Sequence, residues 1–214
     1  QRAYALLNDT LGLPEEEFST FLEYQQMSAK VEFMSDIDTH SISGTGLAIA
    51  RSVMNEGMSL FSAFAMLLNY QRFGKMPAMC TVVEWSVRDE SQHAEGMAKL
   101  FRAFCEEHPR IVNDDFKKDI YEMFRTAVKL EDKVIDLAYE MGDLEGLSAA
   151  DVKQYIRYLA DRRLLQLGLK TNWKVKENPL PWMEELLGGS SISNFFEKRV
   201  TDYNAHGLEG DWGW

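Results

Sequence analysis

Glu56, Glu90 and His93 are the side chains whose types and spacing could do chemistry. Glu90 and His93 are three residues apart, so on a helix they share one turn, with Asp89 beside them. A carboxylate oxygen and an imidazole nitrogen on one turn could form half of a dinuclear metal site. With 34 acidic residues and 4 histidines among 214, roughly 0.6 such acid-x-x-His pairs arise by chance, so the pair needs context. The elements around it supply that context. Placed at helical intervals, Ile49, Val53, Leu60, Ala63 and Leu67 form one apolar stripe with Glu56 in its middle. On the next helix Met79, Val83, Val87, Ala94, Met97 and Phe101 form a stripe centred on Glu90, with His93 on its flank. Burying an ionised carboxylate costs several kcal/mol unless it is paired or bound to a metal, and this pattern aims two at the core. Salt bridges to arginines such as Arg51, Arg88 or Arg102, or an escape to solvent at a helix edge, would satisfy each acid singly. Two acids on successive helices, one of them a turn from a histidine, favour a metal site.

The elements that must position these residues read as helices throughout. Residues 1–10 have good helix formers and end at Gly12 and Pro14. Pro14 and the three glutamates after it suit a first turn, and Phe18, Phe21, Leu22, Met27 and Val31 continue the pattern to about Met34. Residues 36–46 read as a loop. Long helices are expected over about 45–71, 77–107, 115–141 and 149–169, and a short one over 183–187. Strand signals are nearly absent, so the fold class is all-α. Residues 1–187 read as one helical domain and 188–214 as a C-terminal tail.

Composition removes other classes of function. A net charge of -11 disfavours a nucleic-acid surface, which needs cations to neutralise phosphates. No apolar run approaches the length of a membrane span, and no basic and apolar leader opens the sequence. Cys80 and Cys105 both fall within helical patterns, which suits a reducing, cytoplasmic setting. His40, His108 and His206 lack acids at ligand spacing, and the methionines fit core packing.

Ferritin-like bundles build a dinuclear site from one Glu on each of two helices and a Glu-x-x-His pair on each of the other two. One lone Glu and one Glu-x-x-His pair are present here. The series Tyr4, Asn55-Glu56-Gly57, Arg88-Asp89-Glu90-x-x-His93, Tyr155 to Arg163 and Asn194-Phe-Phe-Glu-Lys-Arg-Val-x-x-Tyr203 resembles the small, radical-generating subunit of class I ribonucleotide reductase. The resemblance runs in order along essentially the whole chain. It implies a ferritin-like helical bundle, here lacking its first helices, with Glu56, Glu90 and His93 as ligands of one metal and Glu90 reaching the second. Further, it implies a dinuclear iron or manganese/iron cofactor whose other ligands precede Gln1, the nearest being a histidine immediately before it. Tyr4 then falls at the radical tyrosine, with Leu60 and Phe64 as apolar neighbours of the radical and Leu60 standing where phenylalanine is common. Asp89 falls at an acid of the radical-transfer path, and Tyr203 at the tail tyrosine that relays the radical to the large subunit, where ribonucleotides are reduced. The implied partners are that large subunit, docked through the C-terminal tail, and a second copy of the chain, with no nucleic acid and no membrane. Lacking three ligands, these 214 residues are expected to be inactive alone. Two other readings stay open at this point: another ferritin-like di-iron oxidase or oxygenase, and a metal-free helical interaction protein in which the acids are merely salt-bridged.

Overall fold

The computed structural model describes residues 19–188 and, before them, residues 5, 6, 9, 10, 12 and 14. Tyr4 and Tyr203, with the rest of the segment after Gly188, lie outside the described residues. Among the described residues there is no strand; the helices are α1 (Gln25–Ser35), α2 (Ile42–Met54), α3 (Phe61–Arg72), α4 (Pro77–Glu107), α5 (Asp114–Tyr139), α6 (Ala149–Gln166) and α7 (Pro181–Gly188). This is the expected all-α, ferritin-like helical architecture. Residues through Leu180 form one compact unit, and α7 belongs to a second that begins at Pro181.

Local chemistry fixes the ends. Ser41 accepts a hydrogen bond from the Gly44 amide at 2.9 Å, so α2 starts at Ile42, inside the segment expected to be a loop. Asn113 caps α5 through the Phe116 amide, and Ser148 and Asp151 cap α6 reciprocally. Between α1 and the turn at Thr20–Glu23 the chain is extended at Tyr24, so the helix expected from Pro14 to about Met34 is interrupted there.

The core lies between the helical run Ile42–Arg72 and α4, with α5 and α6 closing the other side and α1 lying on α5. In that first run the structure departs from a uniform helix. Asn55–Ser59 forms a turn of π-helix, which joins α2 to α3 and holds one residue more than an α turn. The buried stripe before it includes Ile49 and Val53, as expected. After it the stripe passes through Phe61, Phe64, Ala65 and Leu68, one position beyond Leu60, Ala63 and Leu67, of which Ala63 is exposed. The extra residue in the wide turn causes that shift.

α6 ends at Gln166, and the chain after it is drawn back by a single acid. Asp161 is 1% exposed and accepts three backbone N–H bonds, from Asn172 at 2.7 Å and Trp173 at 2.9 Å on Oδ1 and from Val175 at 2.9 Å on Oδ2. Asp161→Ala strands three donors at once. It is expected to destabilise the protein by roughly 3 kcal/mol, read as a lower urea midpoint at unchanged slope. A loss under about 0.5 kcal/mol would mean that the loop is held by other contacts.

Candidate metal centre

Glu56 sits in the π turn, and Glu90 and His93 sit one turn apart on α4, which packs along it. The structure brings the three together: one ligand atom from each lies within 4.8 Å of the others. His93 Nδ1 is 3.4 Å from Glu90 Oε2 and 4.0 Å from Glu56 Oε2. The carboxylates are partly buried, and His93 is 60% exposed on its side chain, so the group opens to solvent on the histidine side. Asp89 is exposed and stands outside the triad.

The donor set fits a cation. Glu56 Oε2 is buried and has no hydrogen-bond partner. Burial first, and then the neighbouring Glu90 carboxylate, holds the Glu56 carboxyl above its ordinary range, while His93 pulls it down. Two carboxylates and an imidazole thus converge with one acceptor orphaned, as oxygen and nitrogen ligands of a hard or borderline metal do. Two of the arginines that could have neutralised the acids are engaged elsewhere. Arg51 donates to the Phe33 carbonyl at 2.5 Å and covers the Phe33 ring, and Arg102 donates to the Gln166 carbonyl at 2.6 Å.

Much of the surrounding support went unnoticed in the sequence. Glu131, 1% exposed, pairs with Lys30 at 2.5 Å and accepts from the Ser62 hydroxyl at 2.5 Å. Burial pushes its carboxyl upward, against the pull of Lys30 and Ser62. The signal that picked out Glu56, an acid within an apolar stripe, was available here, since Glu131 lies between Val128 and Val134. Gly57 has another role. A Cβ there would run into the Arg163 guanidinium and stand 2.8 Å from Arg163 Cδ, so only glycine leaves room for that side chain. Leu60 is half-buried and Phe64 buried. Cys80 and Cys105 are free thiols. His40 is exposed and His108 follows the last residue of α4; His206 lies outside the described residues.

A helical bundle with a carboxylate on one long helix and a Glu-x-x-His pair on the next belongs structurally with the ferritin-like proteins. Comparison with known proteins narrows the class. The family model for "Ribonucleotide reductase, small chain" matches residues 1–179, and the chain belongs to that family. It is 38% identical, over 99% of its own length and 61% of the relative's, to the "Probable ribonucleoside-diphosphate reductase small subunit" of Invertebrate iridescent virus 3. It is 31% identical to the ribonucleoside-diphosphate reductase subunit beta of Chlamydia pneumoniae, over 93% of this chain and 61% of that one. The chain therefore spans about three fifths of the length of these relatives. Among solved structures, the ribonucleotide reductase R2 subunit from Clostridium botulinum superposes with a TM-score of 0.78 over 86% of this chain and 61% of that one; at 22% identity the likeness speaks for the fold.

The raised Glu56 carboxyl has a consequence for stability. Between the ordinary carboxylate range and the raised value, the folded protein holds more protons than the unfolded chain, so stability falls as pH rises through that window. Glu56→Gln removes this effect. With no metal added, the variant is expected to be more stable than the parent at about pH 7, by roughly 1 kcal/mol or less because solvent screens the group. The gain should vanish near pH 4, where both states are largely protonated. Saturating metal should reverse the order, since it stabilises only a folded site that can bind it. Unfolding curves at the two pH values check this, and a destabilised metal-free variant at pH 7 would count against it.

Proposed function

We propose that the protein is the radical-generating small subunit of a ribonucleotide reductase and that Glu56, Glu90 and His93 hold one ion of a dinuclear iron or manganese/iron centre. The observation that carries this reading is the convergence of those three donors in a chain of the ribonucleotide reductase small-chain family. When bound, such a centre supplies the oxygen-driven, one-electron oxidation of a tyrosine. The chain's own residues do the rest. Glu56 and Glu90 provide the negative charge that neutralises the cations, and His93 adds a nitrogen donor at the open side. Phe64, with Leu60 at the edge, gives an apolar surround that keeps water from a radical.

Tyr4 is proposed as the residue oxidised, Asp89 as an acid that holds a proton on the transfer path, and Tyr203 as the relay to the large subunit. The substrates, ribonucleotides, would be reduced on that partner, bound through the tail 188–214, and the small subunit itself would work as a cytoplasmic homodimer. Among the described residues no helix is long and apolar enough to cross a membrane.

Anaerobic titration with Fe(II), read by calorimetry, is expected to show binding that falls at least tenfold in Glu90→Ala. Binding unchanged in that variant would favour a helical protein whose acids are merely solvated. In the complete gene product, Fe(II) followed by oxygen should give a tyrosyl EPR signal that is absent from Tyr4→Phe; a signal that persists there would move the radical to another residue.

A further inference from the structure

The turn that carries Glu56 is the least favourable piece of backbone in the helical run that contains it. A π turn widens the helix and loosens its hydrogen-bond ladder, so it persists only where the surroundings select it. Relaxation to an α turn would rotate Glu56 relative to α3, and with it the register that buries Phe61, Phe64, Ala65 and Leu68. Two side-chain cations reach main-chain carbonyls inside this turn. From α6, Arg163 Nε donates to the Gly57 carbonyl at 2.9 Å, while its Nη1 is fixed by the Gln166 side chain at 2.8 Å. From α1, Lys30 Nζ donates to the Ser59 carbonyl at 2.5 Å and pairs with Glu131 on α5. Glu131 is itself fixed by Ser62, three residues beyond Ser59. The two donors thus grip the residue after Glu56 and the last residue of the turn. They come from helices that contribute no member of the triad.

We infer that Arg163 and Lys30 are positioning residues that clamp the π turn and so set where the Glu56 carboxylate points towards Glu90 and His93. Part of this inference, the effect on metal binding, rests on the metal reading above; the clamp on the backbone does not. Gly57 belongs to the same device, because any side chain there would expel the guanidinium from its carbonyl. The Lys30–Glu131 pair is likewise more than a buried ion pair, since its ammonium is shared with the turn. Neutral donors would be weaker at both carbonyls, because hydrogen bonds to a charged group are roughly twice as strong as neutral ones.

The test uses Arg163→Met, its conservative counterpart Arg163→Lys, and the double variant Lys30→Met/Glu131→Gln. The double variant removes both buried charges together, because Lys30→Met alone would strand a buried carboxylate and could prevent folding. Two readouts are taken well below the unfolding temperature. In metal-free protein, amide exchange over 55–60 should accelerate at least tenfold in Arg163→Met and in the double variant, with little change over 96–107. Co(II), used as the spectroscopic probe, should bind about tenfold more weakly with an altered d–d spectrum. Arg163→Lys should recover most of both. Exchange over 55–60 that does not change, or that rises equally along the whole chain, overturns the clamp. Local acceleration with an unchanged Co(II) affinity and spectrum overturns the positioning role. If the parent's Co(II) binding is absent or survives Glu90→Ala, the metal reading fails; exchange alone then decides the clamp, by the same two outcomes.

Discussion

An ionised carboxylate at the interface of two apolar helices costs several kcal/mol unless it is paired or hydrogen-bonded, and two glutamates of this core meet that constraint differently. Glu131 receives its cation from the chain itself, through Lys30, with the Ser62 hydroxyl on its other oxygen. Glu56 does not. One of its oxygens is buried without a hydrogen-bond donor, its neighbour is another carboxylate, and the basic group nearby is an imidazole 4.0 Å away. A folded chain tolerates such a cluster only because the site is partly open to water and because the rest of the core holds it in place. Stability lost at one group of residues is a usual accompaniment of a binding site. The contrast between the two glutamates therefore separates a charge paired within the chain from one left without a cation of its own, which burial alone would not do, since Glu131 is the more buried of the pair.

The open cluster depends on a backbone that is itself unusual. α4 delivers Glu90 and His93 from a regular helix of 31 residues, so their relative position follows from spacing alone. Glu56 has no such guarantee. Its turn holds an extra residue, and the direction of its side chain depends on how wide that turn stays. Gly57 admits Arg163, Ser59 receives Lys30, and the register of Phe61 to Leu68 locks the far side. Three helices thereby converge on one turn, two of them bringing charges and the third a packed face.

Much of this was legible in the sequence. The all-α fold, the limits of the helix Pro77–Glu107 and the meeting of Glu56, Glu90 and His93 all follow from periodicity, because an acid within an apolar stripe must face the core whatever the details of packing. The same reasoning misplaced the stripe after Glu56. Leu60, Ala63 and Leu67 were expected inward, on the assumption of 3.6 residues per turn throughout, and one extra residue moved the buried set to Phe61, Phe64, Ala65 and Leu68. The start of α2 was missed for a related reason. Ser41 reads equally well as a loop residue or a cap until the Gly44 amide is seen on its hydroxyl. Glu131, an acid between Val128 and Val134, carries the same pattern as Glu56.

What periodicity could not reach is the set of contacts between side chains and main-chain carbonyls. Arg163 and Lys30 are long, flexible cations of a kind mostly found exposed. Their partners, the carbonyls of Gly57 and Ser59, belong to every residue type and leave no mark on composition. A search confined to donors and acceptors on side chains therefore finds the three residues that converge and misses those that face the backbone behind them. Gly57 is the exception, a residue whose identity records a contact made by its neighbour. In a helix interior glycine is unfavourable by roughly 1 kcal/mol relative to alanine. A glycine directly after a core-facing acid therefore marks a place where something can approach the backbone closely. In this fold that something is the guanidinium of Arg163, 106 residues further along the chain.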